Sequence, residues 1–250
     1  MSHTKKLNIG IIGTGNIGKT LIRKLTAAGH TVQMANSRGA ETLKELAAET
    51  GAKALNTKEA IQNVDVVILS IPLNKLPGMK ETLAELPDGV IVADTSNYYP
   101  MRDGHIEALD NGQIESEWVS EQVGKPIIKV WNNVLSATLD DKGQPKGAEK
   151  RIALSVAGDD PAAKKILMSL VEETGFDAID GGSIAESWRQ QPGTPGYCAN
   201  QTIEELQNAL QAADKTRAPQ VRDAIMQEIL ALGDGVTMDD ILRLNRRLSA

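Results

Sequence analysis

Residues 7–38 read LNIGIIGTGNIGKTLIRKLTAAGHTVQMANSR, and no other stretch restricts the folding options of the chain as tightly. An isoleucine-rich run over residues 7–12 ends in Gly13-Thr14-Gly15-Asn16-Ile17-Gly18. Beyond it, Ile17, Leu21, Ile22 and Leu25 recur on one helical face, and Gly29 supplies a helix stop. Strand, glycine turn and helix therefore follow in the order that a dinucleotide site requires. Gly13 permits the tight turn, Gly15 lets a pyrophosphate approach the backbone, and Gly18 lets helix and strand pack closely. An anion at this turn meets unpaired N–H groups and the positive end of the helix dipole. Gly13, Thr14, Gly15, Asn16, Ile17 and Gly18 are the first candidate cofactor contacts.

The end of the next strand, residues 31–35, indicates which dinucleotide. A site built for NAD places Asp or Glu here, where it accepts hydrogen bonds from the ribose 2′-OH. This chain has Asn36-Ser37-Arg38, and its first acid, Glu41, falls in the following helix. A carboxylate would repel a 2′-phosphate, whereas the Arg38 guanidinium can form a charge-assisted pair with one and Ser37 can add a hydroxyl donor. The expected cofactor is NADP(H).

Composition narrows the remaining classes. A formal net charge of -6 and an aromatic content of 3% argue against a nucleic-acid partner, which calls for a basic patch and stacking platforms. Cys198 is the one cysteine, so no intramolecular disulfide can form; an inert buried thiol in a reducing, cytoplasmic setting is expected. The N-terminal MSHTKK lacks the apolar stretch of a signal peptide. No apolar run approaches the roughly 18 residues of a membrane span, so no membrane partner is expected. No metal-ligand cluster is visible, and His105 reads as a surface bystander.

The rest of the chain alternates strands and helices, which predicts a Rossmann-like, doubly wound, mainly parallel sheet with extra late strands and a C-terminal helical extension. Residues 64–71 (VDVVILSI) form a nearly continuous apolar run suited to a strand buried on both faces. Ligands of such sheets lie outside the carboxyl ends of the strands, which nominates Ser70, Ile71, Pro72 and Asn74. Pro77 is expected to begin a helix running to Leu86. The strand over residues 90–93 ends in the polar cluster Asp94-Thr95-Ser96-Asn97-Tyr98-Tyr99-Pro100, nominating Ser96 and Asn97. A strand over 127–130 leads to Lys129-Val130-Trp131-Asn132-Asn133, and residues 140–150 read as an exposed loop. Late strands at 151–157 and 176–179 flank a helix at 161–173. The segment Pro192-Gly193-Thr194-Pro195-Gly196 marks a boundary, giving a cofactor-binding domain over residues 1–190 and a helical extension over 191–250. Thr202 and Glu205 have capping-box spacing before a helix to Ala213, and two more amphipathic helices follow at 221–232 and 237–248.

With these stations in order, the chain resembles the NADPH-dependent deazaflavin-coenzyme reductases, and also the oxidoreductase domain of the Steap metalloreductases. The likeness runs from about Leu7 to Trp188. It rests on GTGNIG at 13–18, the Ser37-Arg38 loop, Ile71-Pro72, Asp94 with Ser96-Asn97, Lys129 with Asn132 inside KVWNN, and GSIAESW at 182–188. The resemblance implies NADP(H) held by the glycine turn and the Ser37-Arg38 loop. It further implies a nicotinamide near Pro72, Asn97 and Asn132, facing a deazaflavin or flavin co-substrate, and a homodimer. Two features depart from the family pattern. Val130 and Trp131 stand where the family has a small residue and Phe before the asparagine, and the three C-terminal helices have no counterpart. The Steap membrane half is missing, so metal reduction is not implied.

The expected reaction is hydride transfer between nicotinamide and a flat conjugated small-molecule acceptor, with Asn132 orienting the carboxamide or acceptor and Trp131 walling the acceptor site. One alternative is an imine or keto-acid reductase, for which the fold would recruit Lys129, Tyr98 or Glu186 as proton donor. Another is an NADP(H)-binding sensor without turnover.

Overall fold

The computed structural model describes residues 5–249. Six strands, β1 (Asn8–Ile12), β2 (Thr31–Ala35), β3 (Lys53–Ala54), β4 (Val66–Leu69), β5 (Ile91–Asp94) and β6 (Ile128–Lys129), form one sheet. Their order is β3-β2-β1-β4-β5-β6, with every pair parallel. This is the Rossmann order, and it reverses between β1 and β4, where a crevice opens at the carboxyl ends of the strands.

Residue period explains why β1 and β4 are central. Ile9 and Ile11 of β1 and Val66 and Ile68 of β4 enter one buried cluster, while Ile12, Val67 and Leu69 enter another. Alternate residues thus feed cores on opposite faces of the sheet, and all four β4 residues are buried. Helix α1 (Asn16–Ala27) covers the first face with Leu21, Ile22 and Leu25. Leu73, Leu76 and Val119 help cover the second.

The late strands form a small sheet of their own. β7 (Ala153–Val156) and β8 (Asp177–Asp180) pair in parallel across the helix Pro161–Glu173. An antiparallel bridge, Lys129 to Ala157, joins them to the main sheet. The helix Ile203–Ala212 has the full Thr202/Glu205 capping box and packs Leu206 and Leu210 against Ala153 and Ile179. The helices Ala218–Leu232 and Met238–Ser249 complete the extension. The former starts earlier than the apolar spacing suggests, because Pro219 is tolerated in a first turn whose N–H groups lack partners anyway.

Two local expectations change. Pro77 does not start an α-helix; it lies inside the 3-10 segment Leu73–Met79, and a short α-helix follows at Lys80–Ala84. Without an N–H, Pro77 cannot join an α ladder from its interior, so the chain takes tighter turns first. The exposed loop begins after a helix, Ser136–Asp141, whose Thr138 and Leu139 are buried and whose Asp140 accepts a hydrogen bond from Thr20 of α1 at 3.2 Å. No helix is long and apolar enough to cross a membrane among the described residues.

Candidate functional site

The glycine turn has the geometry that its spacing suggests. Gly13 has φ +104, and a Cβ there would lie 2.1 Å from the Ser70 carbonyl oxygen on β4's exit. A Cβ on Gly18 would lie 2.1 Å from the Gly13 carbonyl oxygen, so these two glycines are required by packing. Gly15 differs: a Cβ there would meet nothing within 4 Å, and its φ of -72 suits any residue. It opens onto space at the start of α1, whose first turn carries no acid and whose N-terminus has no side-chain cap. Open approach, free N–H groups and a helix dipole together fit a pyrophosphate. Thr14 is buried below the turn, with its hydroxyl accepting from Asn36 Nδ2 at 3.2 Å, while Asn16 is exposed and Ile17 half-buried.

Asn36 shapes the neighbouring loop. Its side chain also donates to Thr42 Oγ1 at 3.0 Å and accepts from the Arg38 backbone N–H at 2.9 Å. Ser37 and Arg38 are exposed, and among the described residues the Arg38 guanidinium has no ion-pair partner. A cation free at this place fits a ribose phosphate.

From Gly15, Asn16 and Ile17 a cavity of about 350 Å³ runs past Ser70, Ile71 and Pro72 and past Ser96 and Asn97. Ser96 is fixed from beneath by a buried ion pair. Asp94 and Lys129 are both fully buried and paired; Lys129 Nζ also donates to the Ser96 carbonyl at 2.8 Å, while the Ser96 N–H donates to Asp94 Oδ1 at 3.0 Å. Lys129 therefore reaches no substrate, which removes it as a proton donor.

Asn97 and Asn132 form a second network. Asn132 is 2% exposed, and its Nδ2 donates to Asn97 Oδ1 at 3.0 Å and to the Gln190 carbonyl at 2.9 Å. Its Oδ1 accepts from Gln190 Nε2 at 2.7 Å, and Asn97 Nδ2 donates to the Asn132 carbonyl at 2.9 Å. Both amide protons of Asn132 are thereby committed within the protein. Trp131 borders the cavity from behind: it is fully buried in the main core, has φ +55, and its indole faces Thr174 Oγ1 at 3.4 Å. Asn74 donates to the Asp103 carbonyl at 3.1 Å and lies off the cavity wall.

The remaining wall comes from residues that the sequence did not nominate. Tyr99 and Arg102 follow β5, Val134, Leu135 and Ser136 follow β6, and Tyr197 and Cys198 come from the segment beyond Gln190. That segment is not a loose linker: Gly193, Thr194, Tyr197, Cys198 and Ala199 are all buried. The Cys198 N–H donates to the Asn133 carbonyl at 3.1 Å, and Asn133 Nδ2 donates to the Gly196 carbonyl at 3.3 Å. Burial pushes the Cys198 thiol up to about 12, so it is protonated near neutral pH.

The other proton donors suggested by sequence also point elsewhere. The Tyr98 hydroxyl donates to Asp110 Oδ1 at 2.8 Å, and burial pushes it up to about 12. Glu186 closes the capping box of Ser183. His105, read from sequence as a surface bystander, is an exposed partner of Asp110 at 3.0 Å. Behind Tyr98, Glu115 is 5% exposed and accepts the Tyr98 N–H at 3.1 Å; burial pushes its carboxyl up to about 7, against the opposing pull of Lys129.

Comparison with known proteins agrees with this geometry. The family described as NADP oxidoreductase coenzyme F420-dependent matches residues 8–98. The F420-dependent NADP reductase of Methanocaldococcus jannaschii is 28% identical over 205 residues, 72% of this chain and 86% of the relative. The Escherichia coli protein YjhV is 40% identical over 111 residues, 44% of this chain and 81% of its own length. A hypothetical protein from Sinorhizobium meliloti has a solved structure that superposes with a TM-score of 0.61 at 31% identity, covering 73% of this chain and 88% of that one. The matched region contains the glycine turn, the Arg38 loop, β4 with its exit, and the Ser96-Asn97 stretch, and the chain belongs to the family of coenzyme F420-dependent NADP oxidoreductases.

Proposed function

We propose that this oxidoreductase transfers hydride between NADP(H) and a flat conjugated acceptor of the flavin or deazaflavin type. The observation that carries the reading is the continuity of one cavity from the open face at Gly15 past Pro72 and Asn97 to the tyrosines. Backbone N–H groups of Gly15, Asn16 and Ile17 take the pyrophosphate, with Gly13, Thr14 and Gly18 holding the turn. Ser37 and Arg38 take the 2′-phosphate. Ser70, Ile71, Pro72, Ser96 and Asn97 line the nicotinamide end, and Asn74 braces that wall through the Asp103 carbonyl. The nicotinamide supplies the hydride chemistry when bound. Asn132 acts as a positioning residue that fixes Asn97, and Trp131 gives this wall its shape from within the core.

Anaerobic oxidation of NADPH by a panel of deazaflavin, flavin, ferric and imine acceptors tests the reading. Deazaflavin or flavin is expected to be consumed fastest. Preference for the imine would favour the imine-reductase alternative, and tight NADPH binding with no consumption would favour a sensor. The buried free thiol of Cys198 suits a reducing, cytoplasmic setting. A homodimer is the expected assembly, with exposed Leu230, Leu232 and Met238 as a face for a second copy; light scattering checks it.

A further inference from the structure

Tyr99 and Tyr197 stand 98 residues apart in the chain, yet their hydroxyl oxygens lie 2.7 Å apart and both residues line the cavity. Two hydroxyls in mutual contact carry two protons, of which their shared hydrogen bond uses one. The other remains available to a third partner.

Both rings are held from several directions. The Tyr99 N–H donates to Asp103 Oδ2 at 3.0 Å, and the Arg102 guanidinium sits 5.3 Å from the ring centroid. Arg102 is itself tied to the Asp103 carboxylate at 2.7 Å and to the Asn97 carbonyl at 2.6 Å. On the other side, the Tyr197 N–H donates to the Thr194 carbonyl at 3.1 Å. The next turn carries Cys198 and Asn200, each with φ +50, a left-handed conformation that non-glycine residues adopt at a cost. Arg246 of the last helix donates to the carbonyls of Ala199 at 2.7 Å and Asn200 at 3.0 Å, holding that turn closed.

We infer that the Tyr99–Tyr197 hydroxyl pair is the polar end of the acceptor subsite and the proton donor to the acceptor. The inference rests on the hydride-transfer reading above and deepens it. An acceptor reduced by hydride, at a ring carbon in a deazaflavin or at N5 in an isoalloxazine, gains an electron pair at a conjugated carbonyl oxygen or a second ring nitrogen. A proton must reach that heteroatom: the tyrosine O–H bond breaks, the new bond to the heteroatom forms, and the phenolate regains a proton from water through its partner hydroxyl. NADPH is the reductant, the acceptor is the oxidant, and one solvent proton is consumed per turnover. Burial holds both phenols well above their ordinary value, so they remain protonated and act as donors. Such an acceptor is a flat conjugated ring system carrying a hydrogen-bond-accepting carbonyl or ring nitrogen, which an isoalloxazine provides.

The test uses the full chain, NADP+ and riboflavin as the probe. Tyr99→Phe and Tyr197→Phe remove one oxygen each and keep the ring. Calorimetry is expected to show unchanged NADP+ affinity in both variants. Flavin fluorescence in the presence of NADP+ is expected to show riboflavin binding about fivefold to tenfold weaker, the loss expected of one hydrogen bond. With NADPH, riboflavin reduction is expected to slow by about a hundredfold or more, and the solvent deuterium isotope effect on kcat should change. Unchanged riboflavin affinity and rate in both variants would overturn the assignment, as would joint loss of NADP+ and riboflavin affinity, the mark of a structural role. If the unmodified protein binds NADP+ but not riboflavin, the inference falls and the cofactor reading stands. If it binds neither, both fall.

Discussion

Arg38 and Glu115 show what single residues contribute. Arg38 lies on an exposed loop held by Asn36, and in the proposed reading its guanidinium favours the phosphate of NADPH over the hydroxyl of NADH. A charge-assisted hydrogen bond contributes about 1.5–3 kcal/mol, so Arg38→Ala is expected to lower the NADPH preference by roughly tenfold to a hundredfold. Equal affinities for the two cofactors in the unmodified protein would defeat the assignment. Glu115 makes a pH prediction. Its carboxyl titrates near 7 when folded and near its ordinary value of 4.5 when unfolded. Between those values the folded state holds the proton that the unfolded state has released, so stability falls as pH rises through the window and levels off above it. The full shift corresponds to at most about 3 kcal/mol. Glu115→Gln should gain on the unmodified protein as pH rises from about 4 to about 8 and melt above it at the upper end; a gap of the same size at both pH values would remove ionisation of Glu115 as the cause.

At the scale of elements, the β1–α1 turn combines two glycines that packing requires with one that it does not. Gly13 and Gly18 are required by contacts a Cβ would destroy, whereas Gly15 faces open space with an ordinary φ. Gly15→Ala should therefore leave thermal stability unchanged or raise it by about 0.4–1 kcal/mol, because the unfolded chain loses freedom. The same change is expected to weaken NADPH binding at least about tenfold by obstructing the pyrophosphate. Gly18→Ala should lower the melting temperature, since its Cβ would meet the Gly13 carbonyl at 2.1 Å. Thermal denaturation beside calorimetric titration distinguishes the two outcomes. The turn was legible because strand, turn and helix are consecutive and each has a local period. The Pro77 segment was less legible: proline marks a break in the ladder but does not specify whether the chain continues as α or 3-10.

At the scale of the whole molecule, the last helix is tied to the cavity through the buried segment that carries Tyr197 and Cys198. Arg246 reaches back across the structure to fasten Ala199 and Asn200, next to the turn that carries Tyr197. Arg246→Ala should loosen residues 196–201, with faster amide exchange there, weaker riboflavin binding and unchanged NADP+ binding. Because Arg246 is exposed, the local loss should be only about 1 kcal/mol. An unaltered exchange pattern would detach the extension from the site.

The amino-acid sequence alone determined the order of strands and helices, the glycine turn and the absence of an acid after β2, because periodicity and spacing act between near neighbours. Only the tertiary structure decided that Lys129 is buried against Asp94 instead of facing a ligand, and that both amide protons of Asn132 are already used. It also decided that Tyr197 meets Tyr99. These pairings join residues 35, 58 and 98 positions apart. Their contact depends on how the sheet, the small β7–β8 unit and the buried segment after Gln190 close on one another, and no local spacing encodes that path.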